Sequence, residues 1–484
     1  MFTESRFNEI VVVGAGPTGL TLAIELARRG VPHRLLEQSP EPFTGSRGKG
    51  LQPRTLEVLD DLGVIEQFLD HGALYPALRI HRPDGQEIEW RMDELHEATP
   101  AVPYPNVWMV PQWRTGELLA ARLTELGGRI EFGTGVTGLT QDDAGVHLTL
   151  STGEAVTARY VVGADGGRST VRRALGVGFE GETFETQRML IADVRLTGLD
   201  RGSWHMWPGD EPQSFRLGLC PLPGTEDFQL TAPLTGDDEP APTLESLQAL
   251  MPAGVTLTHL GWSSRFRANI RMVDRYRDGN VFLAGDAAHV HSPAGGQGLN
   301  TGLQDAYNLG WKLATGDDAL LETYEAERLP VAAGVLGIST RLHNRHAESL
   351  EEGTRRDDPV LRQLSLGYRD GPLADERRPS PGRVRAGDRA PDAPYPGGRI
   401  FDALRGPHPT VLAFDAPGVT FPGVPVVHLD TAEAREIYDI TDPTLLLVRP
   451  DNYIGCAALA TDPGAIESYL RRITATPVRV GGDS

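Results

Sequence analysis

The first forty residues alternate apolar runs with glycine-rich turns, a pattern typical of a βαβ unit. The continuous β-branched run 10–13 predicts a buried parallel strand. Apolar residues recur with helical spacing over 20–27, and Gly30 is placed to end that helix. A second strand is predicted over 33–36, with Glu37 directly after it. The order strand, helix, strand, acid predicts a dinucleotide-binding half of a doubly wound sheet.

The turn between the first strand and the helix fits G-x-G-x-x-G, and each glycine has a physical task. Gly14 permits the tight turn, Gly16 lets the backbone approach a pyrophosphate, and Gly19 allows the helix and the strand to pack closely. The helix N-terminus offers free N–H groups to the phosphates. Glu37 follows Gly16 by 21 residues, where it can accept hydrogen bonds from ribose hydroxyls and would repel a 2′-phosphate. This pattern predicts FAD or NAD rather than NADP.

A second G-x-G-x-x-G, at 133–138, is predicted to lack this function. It follows a strand-like segment, 129–132, and leads into alternating apolar residues at 146–150 through an Asp-Ala-Gly turn. That pattern predicts a β-hairpin, and without a helix N-terminus the phosphate site has no donors. The sequence therefore predicts one nucleotide-binding unit.

Two aspartates follow further buried strands. Asp165 lies near the end of the run Tyr-Val-Val-Gly-Ala-Asp-Gly, and a helix is predicted to open near Ser169. Asp286 follows the strand 281–284 after one glycine, and a glycine-rich loop then leads into a helix over 301–313. Because ligands of open α/β sheets bind outside the carboxyl ends of the strands, both carboxylates are candidates for a ligand site.

The remaining pattern predicts two smaller units. Alternating residues over 180–270 predict an antiparallel sheet, and its large aromatic residues suit a flat polycyclic ligand. A charged, proline-rich stretch follows, and then strands at 410–414, 424–429 and 445–449, with helices after Asp430 and Asp462.

Composition narrows the function class. The net charge of −20 argues against a nucleic-acid or anionic-membrane binder. No apolar stretch reaches membrane-spanning length and the N-terminus lacks a signal sequence, so we expect a cytoplasmic protein. The two cysteines, Cys220 and Cys456, form no disulfide scaffold and no metal motif. His289 and His291 invite a metal interpretation, but a loop role is favoured and no metal is expected.

The three motifs together resemble those of the FAD-dependent aromatic hydroxylases, the single-component (class A) flavoprotein monooxygenases. The sequence is most similar to the polyketide-tailoring hydroxylases and the rifampicin monooxygenases. The resemblance implies FAD as cofactor, NADPH or NADH as a transient co-substrate, and O2. It also implies an α/β fold with a Rossmann-type FAD-binding domain, a β-sheet substrate domain and a thioredoxin-like C-terminal domain. That last domain lacks C-x-x-C, so we expect it to have a structural or oligomer-stabilising role.

The resemblance also assigns residues. Arg47 and Pro293 are implied to position the flavin, Asp165 to contact FAD and the reductant, Asp286 to hold the ribityl chain, and Gln112 to lie beside the flavin. The full expected cofactor set is Gly14, Ala15, Gly16, Pro17, Thr18, Gly19, Glu37, Gln38, Arg47, Gln112, Val136, Asp165, Asp286, Pro293, Gly296, Gln297, Gly298, Leu299 and Asn300. Substrate contacts are expected from Trp204, Trp207, Phe215 and Pro293.

The expected domains are an FAD-binding domain at 1–179 and 271–350, a substrate domain at 180–270, a linker at 351–386 and the C-terminal domain at 387–484. The implied reaction hydroxylates a polycyclic aromatic substrate through a flavin C4a-hydroperoxide. Baeyer–Villiger oxygen insertion, inactivation of a rifamycin-like antibiotic and a catalytically silent ligand-binding role remain open. So do the choice between monomer and homodimer and the identity of any base, for which His205, His289 and Asp193 are candidates.

Overall fold

The computed structural model describes residues 7–209, 215–234, 242–291, 296–348, 356 and 358–474. In chain order its strands are β1 (Phe7–Val13), β2 (His33–Leu36), β3 (Gly50–Leu51), β4 (Ala73–Leu74), β5 (Ala77–His81), β6 (Glu87–Trp90), β7 (Trp108–Met109), β8 (Ile130–Glu131), β9 (Val136–Asp142), β10 (Gly145–Leu150), β11 (Ala155–Gly163), β12 (Phe179–Thr197), β13 (Ser203–Pro208), β14 (Phe215–Pro221), β15 (Phe228–Pro233), β16 (Thr256–Val273), β17 (Arg277–Asp278), β18 (Val281–Leu283), β19 (His289–Val290), β20 (Asp375–Glu376), β21 (Pro394–Tyr395), β22 (Gly398–Arg399), β23 (Thr410–Phe414), β24 (Val426–Leu429), β25 (Thr444–Val448) and β26 (Ile454–Leu459).

The α-helices in chain order are α1 (Pro17–Ala27), α2 (Pro53–Asp61), α3 (Ile65–His71), α4 (Gln112–Glu125), α5 (Thr170–Leu175), α6 (Leu244–Gln248), α7 (Gly298–Thr315), α8 (Asp318–Glu348), α9 (Ile400–Leu404), α10 (Ala432–Tyr438) and α11 (Pro463–Ile473). Short 3₁₀ helices cover Gly285–Ala287 and Pro359–Arg362. In the described part of the chain, no helix is long and apolar enough to cross a membrane.

A parallel sheet forms the nucleotide-binding half of the molecule. Strands β18, β11, β1, β2 and β8 lie side by side in parallel, and the antiparallel β17 and β10 extend the sheet. The apolar run of β1 is buried because α1 packs against the strand, and α7 packs in turn against α1. The predicted strand–helix–strand unit is confirmed, with β2 at the predicted bounds. The second glycine cluster leads into the hairpin β9–β10, also as predicted.

A second, mostly antiparallel sheet faces the first. Its order is β19-β16-β12-β15-β14-β13-β5-β6, and the paired strands β12 and β16 carry the chain from one sheet to the other. The antiparallel sheet expected at 180–270 is present. It also includes β5 and β6, which lie outside those bounds, because β5 pairs in parallel with β13. Local alternation cannot reveal a pairing between segments so distant in sequence.

The C-terminal unit has its own sheet, in the order β20-β26-β25-β23-β24. The predicted strands correspond to β23, β24 and β25, and both predicted helices are present as α10 and α11. Strand β26 was not predicted; its sequence, Ile-Gly-Cys-Ala-Ala-Leu, has low β-propensity and is held by burial in the sheet. Strand β20 comes from the stretch expected to be a linker. The thioredoxin-like assignment stays a prediction.

Candidate active site

A cavity of about 1520 Å³ lies between the first two sheets. One wall consists of turns at the carboxyl ends of the parallel strands, the other of side chains from the second sheet, and the loop over residues 47–52 joins them. Among the described residues of the lining, ten are Arg or Lys and three are Asp, although the chain as a whole carries −20. The cavity is therefore a positively charged site in an acidic protein, which favours anionic ligands.

The turn between β1 and α1 has a backbone geometry that needs glycine at two positions. Gly14 has φ +102°, and a Cβ there would lie 2.5 Å from the Ala164 carbonyl oxygen. A Cβ on Gly19 would lie 1.9 Å from the carbonyl oxygen of Gly14. Gly16 differs, because a Cβ there would meet nothing within 4 Å, and the residue lines the cavity together with Pro17 and Thr18. The backbone at Gly16 is thus open to a ligand at the N-terminus of α1.

Glu37 is held beside this turn. One carboxylate oxygen accepts a hydrogen bond from the Ala15 N–H at 2.9 Å, and the other accepts one from Ser39 at 2.8 Å. The remaining predicted neighbours lie on the same side: the backbone and Cβ of Gln38 pack against Gly135, and Val136, at the start of β9, is buried. The described lining residues of the cavity do not include Ala15, Glu37, Gln38 or Val136.

Asp165 lies just after β11 and lines the cavity, and its side chain also supports the first turn of α5. Its Oδ2 accepts hydrogen bonds from the backbone N–H groups of Thr170 and Val171, at 2.6 and 3.2 Å. Ser169 adds a conventional N-cap by accepting from Arg172 N–H at 2.9 Å. The buried Oδ1 of Asp165 has no hydrogen-bond partner among the described residues. One oxygen therefore supports the helix, and the other is left for a ligand.

Asp286 follows β18 and faces the cavity. Its side chain is exposed to that space, although the wall around it is closely packed. Because protein atoms surround the cavity on most sides, desolvation raises the pKa of this carboxyl group, and the charges of His289 and Arg47 oppose the rise. A hydroxyl-rich ligand that donates hydrogen bonds to the carboxylate would stabilise the ionised form.

The loop before β3 brings Arg47 across the cavity. Its Nη2 donates to Ser264 Oγ on the second sheet at 3.0 Å. The next residue is fixed by Gln112, whose Oε1 accepts from the Gly48 N–H at 2.8 Å. The predicted residues Arg47 and Gln112 therefore lie in the same wall, at the junction of the two sheets.

The N-terminus of α7 completes the wall. Four residues there line the cavity: Gly296, Gln297, Gly298 and Leu299. The Asn300 side chain instead holds the neighbouring loop in place. Its Oδ1 accepts a hydrogen bond from the Gln52 N–H at 2.8 Å, and its Nδ2 donates to the carbonyl groups of Gly50 and Gly296. Pro293 lies outside the described residues.

Of the expected substrate residues, Trp204 lines the cavity. Trp207 stacks on His81 with ring centroids 4.5 Å apart, and neither it nor Phe215 is among the described lining residues. Sequence reasoning missed Lys49 and Gln229, which do line the cavity. The sequence around this lysine and this glutamine does not indicate that their side chains are buried in the cavity wall.

The two histidines belong to a buried charged network. His289 Nε2 lies 2.6 Å from Asp305 Oδ2, and Arg328 donates to the other oxygen of that carboxylate at 2.8 Å. Burial opposes ionisation of Asp305, but His289 and Arg328 hold its pKa below the usual value. Burial and the neighbouring His289 lower the pKa of His291, which lines the cavity, to about 3. Of the candidate bases, neither His289, His205 nor Asp193 is among the described lining residues.

The cavity fits FAD. Its volume exceeds the roughly 300–1,000 Å³ usual for a single small ligand, leaving space for a substrate as well. The open backbone at Gly16, the unpartnered oxygen of Asp165 and the exposed carboxylate of Asp286 are spread along it. Together they offer N–H donors for a pyrophosphate and carboxylates for hydroxyl groups.

Comparisons with known proteins also indicate an FAD-binding protein. A family model described as an FAD binding domain matches residues 8–339. A flavin-dependent monooxygenase of Mycobacteroides abscessus is 48% identical over 482 residues, covering 96% of this chain and 99% of that protein. A rifampicin monooxygenase of Streptomyces venezuelae is 41% identical over 347 residues, covering 68% and 69%. The solved structure of the OxyS anhydrotetracycline hydroxylase from Streptomyces rimosus matches with a TM-score of 0.76 at 32% identity, covering 98% and 100%.

Proposed function

The chain belongs to the FAD-binding domain family and is an FAD-dependent monooxygenase, and on that premise we propose that it uses NADPH or NADH to hydroxylate a polycyclic aromatic substrate. The observation that carries the proposal is that residues of the three nucleotide motifs line the same cavity as Trp204 of the second sheet. The balanced reaction consumes one NAD(P)H, one proton and one O2. It yields NAD(P)⁺, water and a product with a hydroxyl group in place of a ring hydrogen.

The cofactor-binding residues would act as follows. Backbone N–H groups at the start of α1 bind the pyrophosphate, which can approach because Gly16 has no side chain. Glu37 accepts hydrogen bonds from ribose hydroxyls, and Asp286 accepts them from the ribityl chain. The N-terminus of α7 stabilises negative charge on the flavin. When bound, FAD would supply the redox chemistry, which is electron transfer from the nicotinamide and activation of dioxygen.

The substrate class rests on the cavity and on the relatives. The rifampicin monooxygenase and the anhydrotetracycline hydroxylase are named for large polycyclic substrates. In this chain the space beside the predicted flavin position contains Trp204 and Tyr75, whose rings lie 6.2 Å apart. Aromatic walls favour flat ring systems by stacking and by burial of apolar area. We propose a polycyclic phenol as substrate.

The test is NADPH and NADH consumption by the FAD-loaded protein, with and without a panel of polycyclic phenols and naphthoquinones. We expect one or more ligands to stimulate consumption and to be recovered with one added oxygen atom, located on a ring carbon by NMR. Oxygen inserted between a carbonyl group and its neighbour would indicate the Baeyer–Villiger alternative. Ligand binding with no stimulation in any case would favour the silent binding role.

A further inference from the structure

Lys49 is a buried cation in the wall of the cavity. It precedes β3, lines the cavity, and has 8% of its surface exposed. Lysine is rarely buried to this extent without a counter-charge, because an ammonium group loses favourable hydration. The side chain therefore requires a partner that compensates its charge.

The groups in contact with Lys49 are neutral. Its Nζ donates to the Gln229 Oε1 at 2.5 Å and lies 4.2 Å from the centre of the Trp204 ring. The Gln229 amide nitrogen donates to the Ser46 carbonyl group, which fixes the amide oxygen toward Lys49. Burial raises the pKa of the nearby Cys220 thiol despite the opposing effect of Lys49, so this group also stays neutral.

Within the described ranges no carboxylate forms an ion pair with Lys49. Asp193 acts on it only at longer range, and although burial raises the pKa of Asp193 to about 6, its carboxylate forms no direct ion pair with the ammonium group. The positive charge of Lys49 therefore has compensation only at longer range, and no anion in direct contact with it within the described ranges. An anionic oxygen placed beside it would restore the compensation.

The surroundings of this cation define the ligand. The aromatic rings of Trp204 and Tyr75 flank the position, and Ile191 and Thr231 also line the cavity there. A flat ring system fits these walls, and an oxygen on its edge can reach the ammonium group. A phenol or enol fits best, because loss of its proton creates an oxyanion and makes the ring richer in electrons for oxygen transfer.

We propose that Lys49 binds the deprotonated hydroxyl group of the aromatic substrate, so that the enzyme selects ring systems that carry an acidic phenol or enol. This inference rests on the proposed function and deepens it. The substrate proton is released to solvent on binding, and the resulting anion remains beside Lys49. Lys49 is thus a substrate-binding residue that sets specificity.

The test compares two probes, 2-hydroxyanthraquinone and 2-methoxyanthraquinone, which differ in the acidic proton. Binding to the FAD-loaded protein is measured by difference absorption spectra at one pH, with release of protons into a weak buffer followed in parallel. We expect the wild-type protein to prefer the hydroxy probe, to bind it with the spectrum of the anion, and to release a proton. In Lys49→Met the preference should fall about 10- to 100-fold, as for a lost hydrogen bond to a charged group.

Three further variants separate the effect of the Lys49 charge from other effects of substitution. Lys49→Arg retains the charge and should keep most of the preference. Gln229→Glu places a carboxylate against an intact Lys49 and should abolish the preference as Lys49→Met does, even though the lysine remains. Arg91→Met removes a positive charge from an exposed part of the same cavity and should leave the preference within about twofold. FAD content, read from flavin absorbance, checks that each variant is folded.

The outcomes separate the two proposals. Equal affinity for both probes in the wild-type protein, or an unchanged preference in both Lys49→Met and Gln229→Glu, overturns the role of Lys49. Stimulated NADPH consumption by either probe would leave the monooxygenase proposal intact in that case. Binding of neither probe overturns the proposed substrate class and the inference together. If Lys49→Met does not fold, Gln229→Glu decides.

Discussion

Gly16 is the residue at which cofactor binding depends most directly on the absence of a side chain. A Cβ there would meet nothing within 4 Å of protein, so a larger residue is compatible with the fold and would project into the cavity. We expect Gly16→Val to bind FAD about 10- to 100-fold more weakly, which corresponds to roughly 1–3 kcal/mol of overpacking. FAD content after purification and titration of the apoprotein measure this.

The matched control is Gly116→Val on α4. A Cβ at Gly116 also meets nothing within 4 Å, but the residue is not among the described lining residues. This variant should retain normal flavin content, and because valine has a better helix propensity than glycine, stability should rise by a few tenths of a kcal/mol. A fully yellow Gly16→Val protein would contradict the pyrophosphate assignment.

Asp193 allows a prediction about pH. Burial raises its pKa from 3.8 to about 6. At a pH below 3.8 the carboxyl group is neutral in both folded and unfolded protein and costs nothing. As the pH rises through 6, the unfolded chain ionises first and stability is lost, up to about 3 kcal/mol in total. Asp193→Asn cannot ionise, so it should gain stability over the wild-type protein between pH 5 and pH 8.

The measurement is urea unfolding of both proteins at pH 5 and pH 8. The advantage of Asp193→Asn should be larger at pH 8. Asp142→Asn is the control, because a hydrogen bond from His147 lowers the pKa of the Asp142 carboxyl group, so the sign is opposite and no such gain is expected. An advantage that does not change with pH would mean that packing, not ionisation, determines the effect.

The sequence predicted residues whose role is local and missed those whose role depends on tertiary contacts. Gly16, Glu37 and Asp286 follow strands in recognisable motifs, and the structure brings their turns to one edge of the sheet. Lys49 and Gln229 are separated by 180 positions and meet only because the second sheet folds over the loop before β3. No spacing in the sequence encodes that contact.

At the scale of elements, α5 combines helix formation with the cavity through Asp165. Its Oδ2 satisfies two N–H groups of the first turn, while Oδ1 remains available. We expect Asp165→Ala to lower the free energy of unfolding by about 1–2 kcal/mol and to weaken FAD binding as well. Ser169→Ala removes the neighbouring cap and should lower stability by a similar amount without changing FAD affinity. Thermal unfolding of the apoproteins and FAD titration separate the two effects.

Equal loss of FAD affinity in Asp165→Ala and Ser169→Ala would contradict a direct ligand contact of Asp165. It would show instead that the orientation of α5 alone determines binding. Asp165→Asn provides a further check, because its amide oxygen can still accept from the helix N–H groups while the negative charge is removed.

Elements with strong periodicity were predicted best. β2 and β23 begin and end at the expected residues, and α5 begins next to the expected Ser169, because each has a local signal: a short apolar strand pattern or a cap next to a helix. The length of β12 and β16 could not be predicted, since both strands continue past polar and charged positions that face the cavity. β20, with two residues, exists only because β26 offers it an edge.

At the scale of the whole molecule, buried charges join the C-terminal unit to the nucleotide-binding half. Arg449, directly after β25, forms ion pairs with Glu327 of α8 and with Asp451, and Lys312 of α7 also pairs with Glu327. Although burial alone would raise it, Arg449 and Lys312 hold the pKa of Glu327 well below its usual range. Composition indicated an acidic surface; it could not show that charges of both signs are buried here.

We expect Arg449→Met to loosen this junction, because it leaves Glu327 and Asp451 buried with less compensation, at a cost of about 3–5 kcal/mol. Amide hydrogen exchange should accelerate in β23, β25 and β26, while β1 and β2 stay protected. Arg435→Met is the control: its partner Asp415 lies in the same unit and both side chains are about one-third exposed, so the effect should stay below about 1 kcal/mol. Unchanged protection of the C-terminal strands in Arg449→Met would show that apolar packing around Trp311, rather than the ion pairs, holds the two parts together.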